Sequence, residues 1–404
     1  MSDTWNKSPL DFLIGNISAN QFLNSYYERK PLICVHDEPE RYKELLNIDR
    51  VDEIIAHTEL PPESLEMARS APSISRENYT FSNGNIDRGA VIRHFQQGAT
   101  VILTQLQLAD AKLASLCTAL ENVFSAQVQT NVYFTPPNNQ GFRTHYDDHD
   151  VFVMQISGEK LWKLYDKPID NPYRGENFQP GKHKPGKAVE SFTLKAGDCV
   201  YIPRGLMHDA VSSGAEPALH ITVGIIIKSW ADLMLEAMSQ VALNNPKYRH
   251  ALPPGFAKQE FDHDTARAYF KDLVSDFKQQ ANFDSVFELF IQNFIRARSP
   301  QIRGSLLAAS SPQNSLSRYR RRVNTQAKLL SLDNGDEIII CGGGDLHFDR
   351  YAKQGLLMAL SGECFTAEAF MDVESLAKKT EAEQLTIATD CINKLIAFGI
   401  IEVL

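Results

Sequence analysis

The 404 residues are 43% hydrophobic and 23% charged, with a formal net charge of −9 and a pI near 5.7. This is the composition of an ordinary globular chain of two or three domains, large enough to bury a sizeable core. The acidic balance argues against a general nucleic-acid binder, whose footprint is basic, and no stretch approaches the ~20 uninterrupted apolar residues of a membrane-spanning helix.

The N-terminal sequence MSDTWNKSPLDFLIG shows no basic region followed by an apolar run, so no secretory signal is expected. Six cysteines are scattered without CxxC spacing, as suits reduced thiols in a cytoplasmic protein. Residues 1–130 read as a mixed α/β lead-in. A helix with a Ser or Asn cap starts near Ile17, carrying a stripe of Phe22, Leu23, Tyr26 and Tyr27, and Lys30-Pro31 ends it before a strand at 32–35. A short helix over 51–56 follows, then loop and hairpin over 61–85, a β-like run at 99–105 and an amphipathic helix over 110–124. The strand at 128–134 leads into a run of short strands. Phe152, Met154 and Ile156 alternate there with Val153 and Gln155, which predicts one core face. Residues 168–187 form a long loop rich in Pro, Gly, Asn and Lys, the kind that walls or covers a site, and its His183 reads as a solvated loop residue. Strands at 190–194, 199–202 and 218–227 complete this region.

From Ser229 the pattern turns helical. A Ser-capped helix runs to about Leu243, and two more cover 265–280 and 285–298, rich in Phe (270, 277, 287, 290 and 294). Arg318, Arg320, Arg321 and Arg322 read as a solvated basic face. Strands near 328–332 and 337–340, helices over 350–361 and 380–398 and a last strand after Gly399 have the layout of a winged helix. The last helix carries few basic residues, so a protein-contact or structural role is expected and direct DNA binding is not.

The chemistry concentrates at His145-Tyr146-Asp147 and at His208, 61 residues beyond Asp147. Two imidazoles and one carboxylate are the ligand set of a 2-His-1-carboxylate facial triad. Residues i and i+2 of an extended segment share a face, so His145 and Asp147 can reach one ion while Tyr146 points away. His208 follows a turn at Gly197-Asp198, a β-rich run over 199–202 and a Pro203-Arg204-Gly205 turn, as a ligand from a distant strand would. Either feature alone is weak; together, in strand-like contexts, they favour a metal. Geometry does not exclude His149 as a further ligand.

These residues resemble the JmjC-type cupins, in particular the ribosomal-oxygenase branch of Fe(II)- and 2-oxoglutarate-dependent hydroxylases. The resemblance rests on Asn131-Val132-Tyr133, His145-Tyr146-Asp147-Asp148, Val151 to Gln155, Gly158-Glu159-Lys160-Leu161-Trp162, Gly197-Asp198, Tyr201 to Gly205, His208 and Leu219-His220-Ile221-Thr222, and it covers roughly residues 10–228. It implies an α+β fold: a double-stranded β-helix, the cupin or JmjC jelly roll, within a catalytic domain over 1–228 with core strands at about 128–228. A helical region over 229–312 would mediate homodimerisation, and a winged-helix-like domain would occupy 313–404. The resemblance makes His145, Asp147 and His208 the iron ligands and Lys160 the partner of the distal carboxylate of 2-oxoglutarate, with Asn131, Tyr133 and Thr222 touching the cosubstrate. The implied reaction consumes dioxygen and hydroxylates a protein side chain, an Arg or His of a ribosomal protein. A demethylase or small-molecule hydroxylase of the same chemistry, or a non-catalytic binding cupin, are the rival readings. Asp148, Asp150 and Arg143 are expected at the mouth of the site, and His220 as a strand residue of the barrel.

Overall fold

The runs rich in β-branched and aromatic residues pair into antiparallel sheets, as seen in a computed structural model that describes residues 4–173, 175–310, 316–371 and 379–404. The chain divides into two units, Met1–Ile227 and Lys228–Leu404. In the first unit the strands are β1 (Leu32–Cys34), β2 (Leu65–Ala68), β3 (Thr100–Leu103), β4 (Gln127–Thr135), β5 (Asp150–Ser157), β6 (Glu159–Leu164), β7 (Glu190–Lys195), β8 (Cys199–Ile202), β9 (His208–Ser212) and β10 (Ala218–Ile226). One sheet has the order β1-β8-β5-β10-β4-β3-β2, the other β7-β6-β9. Val151, Val153, Val200 and Ile202 of the larger sheet share a core with Trp162, Leu164 and Leu194 of the smaller. This two-sheet roll is the double-stranded β-helix.

β5 departs from the single core face its alternation predicts. Val151 and Val153 face the smaller sheet, while Phe152, Met154 and Ile156 pack with Leu13, Phe22 and Leu120 of the N-terminal helices. Gln155 is also fully buried. Its amide nitrogen donates to the carbonyls of Ser157 at 2.9 Å and Leu219 at 3.3 Å, so this polar residue is held through its nitrogen and does not mark a solvent face.

The lead-in helices follow their caps. Ser18, not Asn20, caps the Ala19–Ser25 helix by accepting from the backbone of Gln21. Asn47 caps a helix that starts earlier than the apolar pattern suggests, at Ile48. Asp110 accepts from Lys112 and Leu113 at the start of Ala111–Phe124, whose buried face is Leu113, Leu116, Cys117 and Leu120.

In the second unit, helices Trp230–Asn244, His263–Gln280 and Phe283–Arg296 precede β11 (Tyr319–Arg321), β12 (Ala327–Ser331), β13 (Glu337–Cys341), β14 (Gly344–Phe348) and β15 (Ile401–Val403). β12, β13 and β14 form one sheet, and the last strand, β15, pairs with β11 far upstream. Helix Glu381–Ala397 buries Ala388, Cys391, Ile392, Leu395 and Ile396, the spacing of one helical face. The expected boundary at 312/313 lies outside the described residues.

Candidate metal centre and its cavity

Asp147 stands between two imidazoles. Its Oδ1 is 3.7 Å from Nε2 of His145 and its Oδ2 is 3.6 Å from Nε2 of His208. The three side chains offer ligand atoms within 4.8 Å of one another, the one His/Cys/Asp/Glu cluster of this kind among the described residues. Each histidine is oriented by its other nitrogen. Nδ1 of His145 donates to the carbonyl of Arg143 at 2.9 Å, and Nδ1 of His208 to that of Leu206 at 3.0 Å. A carbonyl only accepts, so both protons sit on Nδ1 and both Nε2 lone pairs are left for an ion. Burial works to raise the Asp147 carboxyl, but His208, His145 and His149 outweigh it and hold the group below its ordinary range. Burial, with the neighbouring His145, pushes the His208 imidazole down. Both effects favour the deprotonated forms that bind metal.

The extended conformation expected for 145–147 is present only at its start. His145 makes an isolated antiparallel bridge to His208, and residues 146–149 then leave strand geometry before β5 begins. The turn before His208 holds the other ligand too, because the Gly205 amide donates to the Asp147 carbonyl at 2.9 Å. Gly205 has φ +83°, and a Cβ there would lie 2.1 Å from the carbonyl oxygen of Ile169, so the turn requires glycine. Tyr146 points away as expected: it is buried and its hydroxyl donates to the carbonyl of Glu176 in the long loop. Phe178 of the same loop stands 6.2 Å from the His145 ring and 5.4 Å from Tyr146. Phe178 thus brings this loop beside the ligand His145, although no described residue of the loop lines the cavity that opens from the triad. His183 packs on Tyr146 and joins no ligand cluster.

Two neighbours have other tasks. Nδ1 of His149 lies 3.0 Å from Asp148 Oδ1, its ring covers Gly224 of β10, and it is outside the ligand cluster. Asp150 does not line the mouth. It is fully buried, accepts from Tyr201 and Arg204, each at 2.7 Å, and Arg204 also pairs with Glu28 at 2.6 Å. A buried carboxylate needs such partners, and short-range sequence pattern does not reveal them. Arg143 is exposed and donates to the carbonyl of Ser70.

A cavity partly open to solvent runs inward from the triad. Lys160 lies in it, on the inward face of β6 with Trp162 and Leu164, and is only 5% exposed. Its ammonium donates to Thr135 at 2.9 Å, and the Thr135 and Thr100 hydroxyls are 3.0 Å apart. Among the described residues no carboxylate pairs with it, and burial pushes it down to about 7. A buried cation without a countercharge is unfavourable unless an anion joins it. Tyr133 and Thr222 also line the cavity. Burial, then the charge of Asp147, pushes the Tyr133 hydroxyl up. Asn131 does not line it: its Oδ1 accepts from the Gln105 amide and its side chain hydrogen-bonds Tyr133 from behind. Trp162 and His220 do line it, although nothing in their local sequence marks them as more than strand residues.

The two-sheet roll is the fold of the JmjC-type cupins. Residues 102–233 match the JmjC domain family. The chain is 32% identical over 257 residues, 61% of its length, to the bifunctional lysine-specific demethylase and histidyl-hydroxylase NO66 of Drosophila grimshawi, and 31% identical over 236 residues, 56% of its length, to the protein of the same name from Dictyostelium discoideum. It spans 35% and 45% of those relatives' own lengths. The ribosomal oxygenase YcfD of Escherichia coli matches over 96% of this chain and 98% of its own, with a TM-score of 0.53 at 15% identity. Its complex with cobalt and 2-oxoglutarate matches with a TM-score of 0.52 at 14% identity. At such identity the likeness to YcfD is one of fold.

Proposed function

We propose that the protein is an Fe(II)- and 2-oxoglutarate-dependent dioxygenase that hydroxylates a side chain of another protein, an arginine or histidine of a ribosomal protein. The observation that carries this reading is the pairing, in one cavity, of an open two-histidine, one-carboxylate cluster with a buried lysine that lacks a countercharge. In this reading His145, Asp147 and His208 hold the iron and leave its remaining positions open. When bound, iron supplies the redox chemistry that couples oxidative decarboxylation of 2-oxoglutarate, to succinate and carbon dioxide, to insertion of an oxygen atom from dioxygen into a C–H bond. Lys160 takes the distal carboxylate, Tyr133 and Thr222 border the cosubstrate, and Asn131 acts by holding Tyr133. Trp162 and the loop over 168–187 limit water around the reacting atoms. The ribosomal substrate is supported by the names of the relatives, a histidyl-hydroxylase and a ribosomal oxygenase.

NO66 is also named a lysine-specific demethylase, which favours a second reading, removal of a methyl group by the same hydroxylation. Further parts of the proposal are a homodimer formed through the helices over 229–312, a cytoplasmic location, and a protein-contacting C-terminal domain over 313–404. Exposed Trp230, Met234, Leu235, Phe270 and Val274 on two of those helices support the dimer. No helix among the described residues is long and apolar enough to cross a membrane.

The test follows succinate formation from 2-oxoglutarate with Fe(II) and ascorbate, for the native protein and Asp147→Ala, with ribosomal proteins present and mass spectrometry of their peptides. Succinate and one peptide gaining an oxygen atom, both lost in Asp147→Ala, are expected. Formaldehyde in place of the heavier peptide supports the demethylase reading. No succinate from iron-loaded protein overturns both.

A further inference from the structure

His220 is a buried imidazole, 5% exposed, and its Nδ1 is buried with no hydrogen-bond partner among the described residues. Its position is nevertheless closely defined. It sits on β10 opposite Tyr133 of β4 and Gln155 of β5. The Tyr133 ring is stacked on it, 4.7 Å away and 5° from parallel, and the Trp162 ring meets it edge-on at 6.0 Å. His220 and Thr222 share one face of β10, and both line the cavity. A polar ring held so firmly with its Nδ1 unpartnered lacks something that the folded chain does not supply.

The surroundings say what that is. Trp162 stands beside both His220 and the ligand His208, whose rings are 6.0 and 5.9 Å from the indole. Trp162 also has its indole nitrogen buried without an acceptor. Lys160 is the charge that acts on His220, and with burial it keeps the imidazole neutral. A neutral imidazole has one N–H to give, and a carboxylate accepts through two oxygens. One carboxylate can therefore take a hydrogen bond from Lys160 and another from His220 without bringing two cations together.

Resting on the 2-oxoglutarate reading above, we infer that His220 is a second anchor for the distal carboxylate of the cosubstrate, donating to it beside Lys160 while the Tyr133 stack fixes the ring. The role separates the two ends of the ligand. The metal cluster addresses the 2-oxo acid end, and Lys160 with His220 addresses the far end.

The experiment uses the full chain loaded with Zn(II), which permits binding without turnover, and titrates it calorimetrically with two probes. One is 2-oxoglutarate; the other is 2-oxopentanoate, which keeps the chain length and the 2-oxo acid but has a methyl group at the far end. His220→Phe keeps a ring on Tyr133 and removes the donor. It is expected to weaken 2-oxoglutarate roughly 10- to 100-fold, the range for a hydrogen bond to a charged group, and to leave 2-oxopentanoate within about twofold of the native protein. Native-like binding of 2-oxoglutarate by the variant overturns the inference, as does equal weakening of both probes. Tight binding by native protein that Lys160→Met abolishes and His220→Phe does not touch leaves the dioxygenase reading intact and His220 without this role. No binding of 2-oxoglutarate by native protein removes the reading and the inference together. If His220→Phe does not fold, the ring ¹⁵N resonances of His220 in native protein decide: they shift with 2-oxoglutarate and not with 2-oxopentanoate, or the inference fails.

Discussion

His145 and His208 exchange both backbone hydrogen bonds, the amide of each donating to the carbonyl of the other at 3.1 and 2.8 Å. The residues beside them are joined as well. Asp209 Oδ2 accepts from the Thr144 hydroxyl at 2.6 Å and from the Tyr165 hydroxyl at 2.7 Å. This clamp fixes the separation of two ligands that come from distant parts of the chain. Asp209→Ala is predicted to lower Mn(II) or Fe(II) affinity about tenfold, as loss of groups that orient metal ligands commonly does. Titration of metal into apo-protein, with a thermal melt of the same sample, tests this. Unchanged affinity would show that the backbone bridge alone sets the geometry.

The Asp150–Arg204 pair lies directly beneath the turn that carries Gly205 and His208. Removing Asp150 leaves the buried Arg204 with only the half-exposed Glu28 opposite it, so Asp150→Ala is predicted to destabilise the folded chain by up to about 3 kcal/mol. Denaturant unfolding measures it. A loss below about 1 kcal/mol would mean that Glu28 alone balances Arg204.

Lys160 makes a pH-dependent prediction. Its folded-state value is about 7, below the ordinary 10.5 of an exposed lysine. Between those values the unfolded chain holds a proton that the folded, ligand-free chain does not, so the stability of ligand-free protein rises with pH across that window. An arriving carboxylate restores the proton. Binding of 2-oxoglutarate at about pH 8 is therefore expected to take up a proton, and Lys160→Met to abolish the uptake. Calorimetry in two buffers of different ionisation enthalpy reads this directly, and proton release by native protein would contradict it.

Helix His263–Gln280 has no fully buried residue, and Phe270 on it is 66% exposed. An apolar face left open in this way is characteristic of an interaction surface. Phe270→Glu is predicted to convert a dimer to a monomer at micromolar concentration without changing the far-ultraviolet circular dichroism. Sedimentation velocity checks it; a native protein that sediments as a monomer would end the dimer proposal.

The parts of the site that follow local rules were legible in the sequence. The His-x-Asp spacing and the Pro-x-Gly turn before His208 depend on near neighbours, and the three side chains they nominate do come together. Lys160 was readable only through the family resemblance, since a lysine after Ser157-Gly158 otherwise looks solvated. What was not legible depends on contacts across the fold. Asp150 reads as a mouth residue until Arg204 and Tyr201 are placed against it. Gln155 marks a polar face only if the carbonyls that bind its amide are ignored. Asn131 shares a face of β4 with Tyr133, yet its side chain turns to Gln105. His220 gains its meaning from three residues on two other strands, and no spacing within its own strand reports them.

The 60 residues separating Asp147 from His208 also bear on how the protein survives in a cell. An unfolded chain can offer a metal only the adjacent His145 and Asp147; the third ligand arrives when β8 and β9 close the roll. An ion that binds the closed form alone shifts the equilibrium toward it by mass action, about 2.7 kcal/mol at a concentration one hundred times its dissociation constant. Under the proposed function, iron supply thus becomes a determinant of lifetime as well as of turnover: in a cell starved of the metal, more of these chains are open, and they meet proteases first.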